Sequence, residues 1–95
     1  MKVHNAWQIE FKQDIPIQVF SLFLKAVRKV RSAFGVSYTE TRKAISIQYT
    51  ERKRLIRDLP GLGQITREEL TEYLNQSFRA NLLPSNICER HPKFL

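Results

Sequence analysis

A chain of 95 residues with 42% apolar and 11% aromatic content can bury one hydrophobic core, which excludes a disordered chain and leaves no room for a second domain of ordinary size. Its one cysteine, Cys88, excludes an internal disulfide and points to a reducing, cytoplasmic setting. The formal charge of +7 is concentrated between residues 25 and 57, where ten basic side chains face only Glu40 and Glu51; this suits a polyanion or an acidic partner, and equally a merely solvated face.

Ala6 to Phe11 alternates, with Trp7, Ile9 and Phe11 on one side and Gln8 and Glu10 on the other, which predicts a half-buried strand. Asp14 stands at an N-cap position and Pro16 follows, so a helix is predicted to start just after Asp14 and to run to Phe34, closed by Gly35. Lys25, Arg28, Lys29 and Arg31 interrupt this stretch and exclude an ordinary membrane-spanning helix. Lys2, His4, Asn5 and Gln8 break the apolar run that a secretory signal needs.

At helical spacing, Gln18, Ser21, Lys25, Arg28, Lys29 and Ser32 form one polar stripe. Phe20, Phe23, Leu24, Val27, Val30 and Phe34 lie opposite, widened by Val19, Leu22, Ala26 and Ala33. So wide an apolar arc predicts packing against a second helix of the chain, with a homodimer through this helix as the alternative.

Ala44 to Thr50 alternates again and predicts a strand. Before it, Val36, Tyr38 and the nearby threonines fit either a strand turning at Arg42 and Lys43 or a loop. After it, Glu51 to Leu59 fits a return strand or a short helix. Pro60-Gly61-Leu62-Gly63 is a turn; its glycines lack the lysine and the spacing of a phosphate-binding loop. Thr66 and Glu69 then form a capping box, with Ile65 and Leu70 as its hydrophobic staple, and a second helix follows to Asn81 or Pro84. Asn86 to Glu89 suggests a short last strand, with a frayed tail from about residue 90.

This order predicts a single α+β domain: a small two-layer, ferredoxin-like sandwich, βαββα with a short last strand. Two helices on one face of an antiparallel sheet would cover Trp7, Ile9, Ile45, Ile47 and Tyr49. A looser α+β fold with three strands between the helices is the alternative.

No catalytic, metal or cofactor set is recognisable. His4, His91 and Cys88 are too few and too scattered for a zinc site. Cys88 and His91, three residues apart, would need an ordered pocket to act as nucleophile and base, and a buried or surface thiol is the simpler reading. Glu68, Glu69 and Glu72 serve the start of the second helix.

The opening Trp7-Gln8-Ile9-Glu10-Phe11, followed by a helix, is similar to small basic toxins of the RelE/ParE type over about the first 30 residues. That resemblance implies a metal-independent RNase in which arginine and lysine stabilise a pentacoordinate phosphate while tyrosine or histidine moves the proton. Those toxins end in strands, whereas this chain has a well-capped late helix.

Binding is therefore the leading expectation. Arg42, Lys43, Arg52, Lys53, Arg54 and Arg57 would surround one end of a hairpin, and Lys25, Arg28 and Lys29 would add a helical stripe, together contacting the phosphates of DNA or RNA. Tyr38 and Tyr49 are candidate stacking platforms, although Tyr49 belongs to the apolar side of its strand. The alternative is a protein-interaction module or homo-oligomeric adaptor that meets an acidic partner. Everything turns on whether the two basic patches share a face.

Overall fold

The computed structural model describes residues 5–51, 63–83 and 86–94. In chain order these form β1 (Asn5–Phe11), α1 (Ile17–Phe34), β2 (Ser37–Glu40), β3 (Ala44–Tyr49), α2 (Arg67–Ala80) and β4 (Cys88–Phe94). The strands make one sheet in the order β2-β3-β1-β4, every neighbouring pair antiparallel. Each helix thus links two strands that flank an antiparallel third, which is the ferredoxin-like, split βαβ arrangement.

Strand alternation sorts the two faces of this sheet. Trp7 and Ile9 of β1 lie opposite Ile47 and Ile45 of β3, and these four with Tyr49 are at most 4% exposed. Both helices cover that face. Trp7 Nε1 donates to Thr71 Oγ1 of α2 at 3.0 Å, and Phe23 of α1 meets Phe78 of α2 edge-on at 5.3 Å. Lower down, Phe34 meets Tyr73 at 5.4 Å. Such edge contacts add about 0.5–1.5 kcal/mol each beyond burial. Most of the wide apolar arc of α1 is taken up within the chain: Phe23, Ala26, Val27 and Val30 are buried, and Val19, Phe20, Leu24 and Phe34 pack against the same core, while Leu22 is half-buried outside it and Ala33 is exposed.

The start of α1 differs from expectation. Its N-cap is Pro16, with extended backbone and no side-chain hydrogen bond, rather than Asp14. A residue preceding proline is driven out of the helical region, so Ile15 cannot open the helix. At the other end Gly35 adopts the left-handed conformation at φ 70 and donates to the Arg31 carbonyl at 2.8 Å. The α2 start matches its sequence signal: Glu69 N donates to Thr66 Oγ1 at 3.2 Å, Thr66 N donates to Glu69 Oε1 at 3.2 Å, and Ile65 and Leu70 are fully buried.

The strand offered as one option before β3, turning at Arg42 and Lys43, is present as β2 and pairs with β3; the return strand or short helix expected from Glu51 to Leu59 falls on residues 52–59, outside the described set. β4 continues to Phe94 instead of ending at Glu89 and fraying from about 90, and it pairs with β1 from Phe11↔Cys88 to Asn5↔Phe94. Pro92 is tolerated there because β4 is an edge strand, whose outward side needs no ladder bond. Among the described residues no helix is long and apolar enough to cross a membrane.

Candidate nucleic-acid interface

The crossover from β1 through α1 to β2 passes over β3 and brings α1 into contact with β2. Arg28 Nε donates to the Tyr38 hydroxyl on β2 at 3.4 Å. This hydroxyl, with the charge of Glu40 as a lesser cause, pushes the guanidinium further up and keeps it charged. One turn on, Arg31 joins Ser37, Tyr38 and Glu40 around a shallow depression of about 310 Å³. Lys25 and Lys29 stand further round the helix, exposed to solvent. Arg31 was not singled out by the stripe, although its i, i+3 spacing from Arg28 is a signal that finds it.

At the far end of β2 the chain turns through Thr41-Arg42-Lys43. The Thr41 hydroxyl accepts from the backbone of Lys43 at 3.2 Å and of Ala44 at 3.1 Å, and Thr41 N donates to the Ala44 carbonyl at 2.8 Å. A hydroxyl closing the turn leaves the two basic side chains at its tip, both exposed. Arg42 and Lys43 therefore lie at the end of the same edge strand, β2, that Arg28 and Arg31 border.

The expected grouping of Arg42 and Lys43 with Arg52, Lys53, Arg54 and Arg57 around one hairpin end does not follow from the observed strand order. Lys43 enters β3 at one end and Glu51 leaves it at the other, about 20 Å away. Residues 52–62 lie outside the described set. Their flanks are tied together: Thr50 N donates to the Gly63 carbonyl at 3.0 Å, and Gly63 N donates to the Phe34 carbonyl at 2.6 Å, so both flanks meet the C-terminal end of α1.

The remaining candidates separate cleanly. Tyr49 is 4% exposed, and burial pushes its phenol up, with the charge of Glu51 adding to the effect. Tyr38 is half-buried beneath Arg28. Cys88 is buried on the helix-covered side of β4, where loss of solvent pushes its thiol up, while His91 projects from the opposite face. The two cannot act on one atom. His91 Nε2 stands 3.5 Å from Glu10 Oε2, without hydrogen-bond geometry. Among the described residues no group of three or more histidine, cysteine or acidic side chains is placed to hold a metal ion.

The open face of the sheet carries Ser37 and Thr39 of β2, Ser46 and Gln48 of β3, Gln8 of β1 and His91 of β4. The side chains named on it are all polar. The chain belongs to the family described as Domain of unknown function (DUF8238), whose model matches residues 1–85, from β1 through α2. No curated protein and no solved structure matches the chain.

Proposed function

We propose that this family member is a small accessory or regulatory protein of the cytoplasm that binds nucleic acid, using the outer face of α1 and the β2–β3 turn to contact phosphates. One observation carries this reading. From Ile17 to Lys43 the chain has six cations, Lys25, Arg28, Lys29, Arg31, Arg42 and Lys43, against Glu40 alone, and none of the six is in an ion pair among the described residues. Arg52, Lys53, Arg54 and Arg57 extend the charge in sequence.

Unpaired cations on a rigid helix and a hydrogen-bonded turn are suited to a polyanion, because each phosphate they neutralise releases counterions. Titration of labelled DNA and RNA at two salt concentrations tests this. Affinity should fall steeply with salt; protein at micromolar concentration with no salt-sensitive binding to either would reject the proposal.

A second reading draws on the edge position of β2. A four-residue edge strand flanked by Arg28, Arg31, Arg42 and Lys43 offers backbone groups and charge together to an extended acidic peptide. Saturable binding of such a peptide that excess nucleic acid does not displace would favour this protein partner over the nucleic acid.

A further inference from the structure

If the basic surface holds nucleic acid, the aromatic side chains decide which kind. Proteins that grip single strands stack unpaired bases on exposed rings, at about 1–3 kcal/mol per base. A duplex keeps its bases stacked on one another and presents its backbone instead.

The chain has ten aromatic residues, and the fold has spent nearly all of them. Trp7, Phe23, Tyr49 and Phe78 are buried; Phe11, Phe20, Phe34, Tyr38 and Tyr73 pack half-buried against the same core. The tenth, Phe94, belongs to β4, at the edge of the sheet farthest from β2. Residues 52–62 contain no aromatic residue, so the most basic part of the sequence supplies no ring either.

The open sheet face, where four-stranded RNA-binding domains carry their stacking rings, offers serine, threonine and glutamine. Its one imidazole, His91, faces Glu10, and Glu10 is the cross-strand partner of Glu89. Glu89 is held in turn by Lys12 at 3.6 Å, so the charges at that point are spent on one another and leave no surplus cation for a phosphate.

What is left for contact is charge at fixed positions. Arg28 and Arg31 stand over β2, and Arg42 and Lys43 sit on the turn that ends it. Both groups ride on ordered backbone, the helix on one side and the Thr41 turn on the other.

We infer that the partner is double-stranded nucleic acid held by its phosphates, and not a single strand held by its bases. This rests on the phosphate-binding reading and deepens it. The duplex also carries the higher charge density, so the same cations gain more from it when no stacking favours the single strand.

The test is fluorescence anisotropy of the full chain with one labelled oligonucleotide, presented as a single strand, as a DNA duplex and as an RNA duplex, each at two salt concentrations. At least one duplex should bind roughly tenfold tighter than the single strand at matched phosphate concentration, with the steeper salt dependence. Single-strand affinity equal to or above both duplexes would overturn the duplex inference and leave phosphate binding standing. Absence of salt-sensitive binding to all three would overturn both.

Discussion

The two helices cover one sheet, yet the polar side chains around them serve different ends. On the α2–β4 side they bind the protein to itself. Thr66 and Glu69 close the helix start, Trp7 reaches Thr71, and Arg90 is held by Asn75 at 2.5 Å and lies 5.1 Å over the Phe78 ring. Lys12 meets Glu89 at 3.6 Å and Arg67 meets Glu68 at 3.9 Å. From Gln64 to Phe94 four cations balance four carboxylates. On the α1–β2 side the helix begins without a side-chain cap, and among the described residues its cations find one long hydrogen bond, from Arg28 to Tyr38. Stability is organised on one side, and surplus charge accumulates on the other.

The largest expected effect abolishes that division. Phe23 is fully buried and touches both Phe11 at 5.2 Å and Phe78 at 5.3 Å, so it belongs to both sides. Phe23→Ala should cost about 3–5 kcal/mol in urea denaturation. A loss below about 1 kcal/mol would mean that the helices are held together elsewhere.

Next come paired charge reversals. Lys25→Glu, Arg28→Glu and Lys29→Glu combined should weaken nucleic-acid binding at low salt by about a hundredfold, while the control pair Arg67→Glu and Arg79→Glu should change it by less than about threefold. Melting temperatures of the α1 variant should stay close to wild type, because exposed charges contribute little to folding. Equal losses from the two sides would erase the functional contrast.

A smaller effect probes the α2 side alone. Thr66→Ala removes the acceptor for Glu69 N and should cost about 1 kcal/mol in thermal or urea melts, with nucleic-acid affinity unchanged. A parallel loss of affinity would tie the capped helix to binding.

The smallest effect is alkaline. Burial raises the Cys88 thiol and the Tyr49 phenol in the folded protein, so the unfolded chain gives up these protons first. Their contribution to stability is complete below the ordinary thiol value and declines as pH climbs through the thiol and then the phenol range. Urea melts at rising pH should show that decline, flattened in its first part by Cys88→Ala. A wild-type curve no steeper than the variant's would remove Cys88 from the account.

Elements with local signals were legible in the sequence, and elements defined by their neighbours were not. The capping box at Thr66, the glycine stop at Gly35 and the alternation of β1 and β3 are each written within a few residues. β2 is hard to read because an edge strand alternates weakly: of Ser37, Tyr38, Thr39 and Glu40 only Tyr38 is drawn into the core. β4 is obscured by Pro92, which argues against a strand until its edge position is known. The helical stripe of the candidate site followed from periodicity alone. Whether Arg42 and Lys43 join it depends on which strand pairs with β3, a long-range fact that no local pattern encodes.

The strand order also has a consequence for biosynthesis. β1 sits in the interior of the sheet, and one of its two flanking partners is β4, which is made long after it. Until residues 88–94 have left the ribosome, β1 exposes a seven-residue row of unpaired backbone groups, the kind of edge that invites pairing with another chain. Release of the chain short of residue 88 would therefore leave a nearly complete core with a sticky margin, and soluble yield should depend on those residues far more than their small share of the core suggests.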